Sequence, residues 1–335
     1  MPHLHASGLD IHYTTEGAGP PLVMLHGASS TAHEDWAAQR PLFRQAFKLY
    51  MVDARGHGGT RWDAADGFDR DMLVDDLLAF VDGLGLGTFH IAAFSMGAMT
   101  ALTFATRFPE RLRTAIVAGI GVERDPRTRV AARLMDPDRI EREEPAWAAA
   151  LERRHAPTQG HGAWQRLLRA IVADVASQPI LTPEELTRAR MPILLAYGDR
   201  DVFVPLEHAV ALRRQLANSR LLIAPGSGHV VMVNQPAVFN AAAGGFWRST
   251  ETVARARAGH AAAPVPSAAG EGAVVLDPRL TPHGGTGAPE RSHASDRGAG
   301  SDRGKADHAD ESAGGGTTAD PPDARTPDHE WYDNW

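Results

Sequence analysis

The segment His90-Ile91-Ala92-Ala93-Phe94-Ser95-Met96-Gly97-Ala98-Met99 constrains this chain more than any other. An apolar run of β type enters it, a small-residue helical start leaves it, and one serine stands at the junction. A serine in that place occupies a sharp strand-to-helix turn with its hydroxyl held outward. Such a turn needs small residues two before and two after, so that strand and helix can approach. Ala93 and Gly97 fill those places, and Ala93 departs from the usual G-x-S-x-G spacing by one methyl group.

Other segments fall around it in a fixed order. Upstream, Pro21 to Ser29 reads as a buried strand running into His26-Gly27-Ala28-Ser29, and Leu49 to Gly58 as a strand and turn. Downstream, Ile193 to Asp201 puts acids at the end of a strand, and Leu221 to His229 ends another in histidine. Leu4 to Glu16 alternates before a Gly17-Ala18-Gly19-Pro20-Pro21 turn, which predicts an opening hairpin. Helices are expected over 71–84, with Leu73, Leu77, Leu78, Phe80 and Val81 on one face, over 96–107, and over 236–247. Gly83-Leu84-Gly85-Leu86-Gly87 ends a helix and precedes a strand, the reverse of a dinucleotide-binding glycine loop, and is read as a helix stop. Strands separated by helices at this spacing predict an α/β fold with a mainly parallel sheet covered on both faces. In such sheets ligands sit at the carboxyl ends of the strands, where Ala28, Ser95, Asp201 and His229 fall.

Between 121 and 190 the alternation of strand and helix stops. Charged helical segments at 128–135, 138–155, 163–177 and 183–189 predict an inserted helical cap. The expected division is a core of 1–121 and 191–250, a cap of 122–190 and a tail of 251–335. The tail is rich in Ala, Gly, Pro, Asp and Arg, and that composition predicts disorder. Its aromatic-acidic end, His329 to Trp335, is read as a solvated terminus in preference to a partner-binding tag.

From Leu4 to Trp247 the chain resembles the α/β-hydrolase superfamily, whose members place serine, acid and histidine in that chain order. The resemblance implies a capped serine hydrolase acting on a carboxylic ester or related acyl compound, with water as co-substrate. Ser95 is the expected nucleophile, His229 the base and Asp201 the acid that orients it. Asp199 competes with Asp201, but the related Gly-x-x-Asp turn counts three residues from Gly198 and selects Asp201. Glu123 is a remote third candidate. The amides of Ala28 and Met96 are the expected oxyanion donors, and Ser29, Phe94, His155, His161, Trp164 and Val230 the expected substrate contacts. Asp53, Arg55, Gly56, His57 and Gly58 resemble the family's D-x-R-G-x-G turn, a structural support. Carbon-carbon bond hydrolases, lactonases and cofactor-free haloperoxidases share this fold, as do non-enzymatic binding members that have lost a triad residue. The carbon-carbon hydrolases usually have tryptophan after the histidine, where this chain has Val230.

Composition bounds the rest. A chain of 335 residues, 43% of them hydrophobic, can bury a substantial core. Net charge of −7 leaves no basic footprint for nucleic acid or an anionic membrane. With no cysteine there is neither thiolate chemistry nor a Cys-ligated metal. No cofactor and no metal are expected, and the partners are a small acyl substrate and water. No apolar stretch approaches the roughly 18 residues of a spanning helix, so a cytoplasmic protein is expected. Oligomeric state is left open.

Overall fold

A computed structural model describes residues 2–261, with side chains described through 251. Eight strands form one sheet in the order β1-β2-β4-β3-β5-β6-β7-β8. They are β1 (His3–Ala6), β2 (Leu9–Glu16), β3 (Pro21–Leu25), β4 (Lys48–Val52), β5 (Phe89–Phe94), β6 (Leu112–Ala118), β7 (Ile193–Gly198) and β8 (Ser219–Ala224). β1 and β2 are antiparallel to their neighbours, and every pairing from β4 to β8 is parallel. The fold is that of the α/β hydrolases.

The central strands read as continuous apolar runs because both faces are covered. Along β3, Val23 and Leu25 join one core while Leu22 and Met24 join the other, and β5 divides Ile91 and Ala93 from Ala92 and Phe94 in the same way. The first face is packed by α3 (Arg70–Gly83) and α4 (Met96–Arg107). Asp69 starts α3 by accepting the Met72 amide at 2.8 Å, and Leu73, Val74, Leu77, Phe80 and Val81 form its buried stripe. The helix stops where expected, at Gly83, with Gly85 following at φ +65. The second face is covered by the short helices α1 (Ala32–Asp35) and α2 (Arg40–Phe43) and by a long terminal helix, with Trp36, Phe43, Phe239 and Trp247 in the core.

Between β6 and β7 the chain runs through α5 (Arg127–Leu134), α6 (Pro137–Glu143), α7 (Pro145–Gln159), α8 (Ala163–Ser177) and α9 (Pro183–Leu186). After β7 come α10 (Leu206–Gln215), α11 (Val231–Asn234) and α12 (Pro236–Ala261).

Three expectations need correction. The opening hairpin turns at Ser7-Gly8, where both residues have positive φ and Ala6 faces Leu9, a two-residue turn whose twist suits the strands. The Gly17–Pro20 segment instead carries the chain from β2 past β4 to β3, and Gly17 is required there because a Cβ would lie 2.4 Å from the Phe47 carbonyl oxygen. The helix expected over 138–155 is two helices. Pro145 forces Glu144 out of the helical region, to φ −132 and ψ 58, and the chain bends there. The terminal helix α12 continues to Ala261, past the end of the core expected at 250. The remainder of the expected tail lies outside the described residues. Among the described residues no helix is long and apolar enough to cross a membrane.

The turn after β4 is bound to α3 by one buried ion pair. Arg55 donates to both oxygens of Asp76, at 2.7 and 2.8 Å, with both side chains nearly closed to solvent. Removing one partner leaves an uncompensated buried charge, which typically costs about 3–5 kcal/mol. Asp76→Ala is therefore expected to lower the unfolding free energy in urea by about that amount. A loss below about 1 kcal/mol, the range of a surface pair, would show that the turn does not depend on this contact.

Candidate active site

Ser95 ends β5 at φ +49 and ψ −112, a conformation that costs a non-glycine residue about 1–3 kcal/mol. Two backbone bonds hold it there: the Ser95 amide donates to the Ala118 carbonyl at 2.9 Å, and the Gly97 amide to the His26 carbonyl at 3.1 Å. The approach at Gly97 is close. A Cβ there would meet the His26 carbonyl oxygen at 2.6 Å and the Leu25 Cβ at 2.7 Å, so only glycine fits. The opposite position tolerates a methyl group, since Ala93 is fully buried in the core.

Three side chains from three strand ends meet at this turn. His229, after β8, places Nε2 3.0 Å from Ser95 Oγ and Nδ1 2.9 Å from Asp201 Oδ2. The other oxygen of Asp201 accepts the Phe203 and Val204 amides at 2.8 and 3.1 Å, which fixes the carboxylate after β7. The imidazole lies between the rings of Phe94 and Phe203, at centroid distances of 5.0 and 4.4 Å. Gly119 backs onto its edge at positive φ, where a Cβ would stand 2.9 Å from His229 Cε1. The competing acids lie elsewhere. Asp199 is exposed and accepts the Ser227 amide at 3.2 Å, closing the turn, while Glu123 pairs with His208 at 3.1 Å.

The loop after β3 is held by bonds that use nearly all its polar groups. Gly27 donates its amide to Asp35 Oδ2 at 2.8 Å, and Ser29, at φ +65, donates to His57 Nε2 at 3.3 Å. The Ser29 carbonyl accepts from Arg154 at 2.9 Å and from His155 Nε2 at 3.2 Å. Among the described residues no acceptor takes the amide of Ala28 or of Met96, and both residues face the cavity that contains Ser95 and His229.

Three buried imidazoles support that loop from behind. Each donates from one nitrogen to a carbonyl and accepts a backbone amide on the other, a pattern that requires the neutral ring. His26 bridges the Ala54 amide and the Gly27 carbonyl, His57 the Ser29 amide and the Arg55 carbonyl, and His155 the Gly58 amide and the Ser29 carbonyl. Burial, followed by the neighbouring His26, holds the His57 pKa well below its ordinary value. Burial, followed by the charge of Arg154, brings His155 down to about 3.

The cavity over Ser95 measures about 610 Å³, counting its open mouth, and Met96, Met99, Met135 and Ile171 form part of its apolar wall. Phe94 and Val230 line a smaller adjoining pocket that shares Ser95 and His229 with this cavity. The remaining expected substrate contacts are placed elsewhere. Ser29 is buried within the loop and His155 behind it, bonded to the Ser29 carbonyl and the Gly58 amide. Trp164 packs inside the inserted helices, and His161 is exposed and bonded to Glu152. Phe203 and Asp35 were missed in the sequence. Phe203 lies in the same turn as Asp201 and was within reach of a local reading, whereas the role of Asp35 depends on a contact across the fold. Among the described residues no cluster of three or more His, Asp or Glu is arranged to hold a metal ion.

Comparison with known proteins places this geometry. A model described as the alpha/beta hydrolase family matches residues 22–242. The pimeloyl-[acyl-carrier protein] methyl ester esterase of Nitrosomonas europaea is 26% identical over 255 residues, covering 68% of this chain and 96% of that protein. The putative carbamate hydrolase RutD of Caulobacter sp. (strain K31) is 26% identical over 224 residues, covering 62% of this chain and 83% of that protein. Among solved structures, the enol-lactonase from Burkholderia xenovorans LB400 superposes with a TM-score of 0.59 at 19% identity, over 74% of this chain and all of that one.

The buried histidines set a pH dependence of stability. His155 titrates at about 3 and His90, also depressed by burial, at about 4, against 6.5 for an unrestrained ring. Below about 6.5 the unfolded chain takes up protons that the folded protein refuses. Stability is therefore fully present above that pH and falls as pH drops towards the folded values, by up to about 1.4 kcal/mol per unit for each ring. Urea unfolding from about pH 7 to about pH 5 should show this decline, and His155→Gln should flatten it. Equal slopes in the two proteins would mean that His155 does not stay neutral.

Proposed function

The chain belongs to the alpha/beta hydrolase family and is a hydrolase of that family, and on this premise we propose that it cleaves a carboxylic ester or a related acyl compound through an acyl-enzyme on Ser95. The observation that carries this reading is the continuous relay Ser95 Oγ to His229 Nε2 and His229 Nδ1 to Asp201 Oδ2, opening on a cavity. A serine hydroxyl is a weak nucleophile until a base within hydrogen-bond reach takes its proton. His229 is that base. Asp201 holds the tautomer with the proton on Nδ1 and stabilises the imidazolium that forms, while Phe203 and Val204 keep the carboxylate aimed.

Attack of Ser95 Oγ on the acyl carbon forms a tetrahedral oxyanion. The Ala28 and Met96 amides are the donors that receive it, and Met96 opens α4, where the helix dipole favours negative charge. Collapse breaks the bond to the leaving group, to which His229 returns the proton. Water then attacks the acyl-enzyme by the same steps in reverse order and restores Ser95. The 122–190 insertion serves as a cap over this cavity, supplying Met135 and Ile171 to its wall.

The relatives named as an ester hydrolase and a carbamate hydrolase both fit acyl transfer to water. A binding-only role would leave the strained Ser95 and the two available amides without purpose.

Ser95→Ala should reduce hydrolysis of a p-nitrophenyl ester by about three orders of magnitude or more while leaving the melting temperature nearly unchanged, since the hydroxyl faces the cavity. Near-wild-type turnover would end the assignment. Asp201→Asn should be damaging on the same scale, because an amide in that place favours the wrong imidazole tautomer. Asp199→Asn keeps an oxygen for the Ser227 amide and should stay within about threefold of wild type, an effect well under 1 kcal/mol. The opposite ranking of the two variants would move the acid to Asp199.

A further inference from the structure

The cavity that opens at Ser95 is apolar over most of its wall but ends in charged and polar groups on α3, α5 and the end of α8. Four of them matter: Arg70, Arg127, Asp174 and Gln178. Most are committed. Arg70 donates to the Pro179 carbonyl at 2.6 Å and to Asp71 at 3.2 Å, and Asp174 accepts the Arg70 amide at 3.1 Å. Nearby Arg124 is bonded to the carbonyls of Ala176 and Gln178. Arg127 is different. Among the described residues its guanidinium has no hydrogen-bond or ion-pair partner, and its Nε is closed to solvent. Gln178 Oε1 is also buried without a partner.

A shielded guanidinium with no acceptor is an unstable arrangement, because burial removes its hydration and nothing replaces it. Burial lowers the Arg127 pKa to about 10, so the group stays cationic at neutral pH. Arg70 is already offset by Asp71, so what this end of the cavity offers is the unpartnered Arg127 guanidinium, with Arg124 beside it, against the single carboxylate of Asp174. We propose that this end is an anion site, in which Arg127 binds a carboxylate that the substrate carries at the end remote from the bond cleaved. The inference rests on Ser95 being the nucleophile, since that fixes which end of the substrate reacts.

The neighbours select a carboxylate. It is planar and singly charged, which matches the guanidinium fork. A phosphate dianion would meet stronger repulsion from Asp174. The Gln178 amide, turned over, presents Nε2 to the same anion. Between the two ends, Met99, Met135, Ile171 and Val175 offer only apolar surface, so the linking segment of the substrate is a hydrocarbon. The substrate class is thus a monoester, or equivalent monoacyl derivative, of a dicarboxylic acid.

The test compares the mono-p-nitrophenyl ester of hexanedioic acid with p-nitrophenyl hexanoate. Wild-type protein should favour the carboxylate-bearing ester in kcat/KM by at least about tenfold, the scale of one charge-assisted pair. Arg127→Gln should bring that ratio close to one, and Arg127→Lys should retain part of it. A wild-type ratio near one, or a ratio unchanged in Arg127→Gln, overturns the proposal. So does a preference for an amine-bearing ester, which would assign the polar end to Asp174. Binding separates this result from the fate of the nucleophile assignment. By calorimetry, Ser95→Ala should bind monomethyl hexanedioate at least about tenfold more tightly than methyl hexanoate, and Ser95→Ala/Arg127→Gln should not. Equal binding of the two esters by Ser95→Ala overturns the anion site, whatever Ser95 does.

Discussion

The close contact between the start of α4 and the end of β3 decides most of what the structure can do. Gly97 lets the helix approach until its amide bonds the His26 carbonyl, and that approach forces the strained backbone at Ser95. One contact thus sets three things. It lifts the serine hydroxyl out of the turn, it aims the Met96 amide along the helix axis towards the same space, and it brings the loop after β3 alongside. The strain is maintained because buried strands on both sides fix the chain. β5 lies between β3 and β6 and is fully buried along its length.

Charge and hydrogen bonding then divide the molecule into a neutral support and a reactive front. Behind the loop, His26, His57 and His155 bridge backbone groups, and at His57 and His155 burial opposes protonation. His155 belongs to α7 of the insertion, so its bond to the Ser29 carbonyl, with that of Arg154, ties the inserted helices to the loop that carries Ala28. In front, Asp201 and His229 are also buried but lie in line with the half-buried Ser95 hydroxyl at the cavity. Similar residue types serve opposite purposes in the two places, and the partner of each ring nitrogen makes the difference.

Much of this was legible in the residues because it is local. The elbow, the two strand ends bearing Asp201 and His229, and the choice of Asp201 over Asp199 follow from short motifs, and the structure places those side chains in contact. Strand positions were readable where both faces are buried, since the apolar runs are continuous. What escaped was set by distant contacts or by punctuation passed over. Asp35 acts on Gly27 only through the fold, and His155 is drawn behind the loop by Ser29 and Gly58 instead of towards the cavity. Arg127 gave no sign in a charged helix of its role at the end of a cavity. The break at Pro145 and the turn at Ser7-Gly8 carried recognisable signals, which the stronger helical and glycine-rich patterns beside them obscured.

The central claim is that Ser95 is a nucleophile activated by His229. Covalent trapping tests it without assuming any substrate. Incubation with a fluorophosphonate followed by intact-protein and peptide mass spectrometry should show one adduct, located on Ser95, and its rate of formation should fall by about a thousandfold or more in His229→Ala. Absence of an adduct, an adduct on another residue, or labelling of His229→Ala at the wild-type rate would contradict the account.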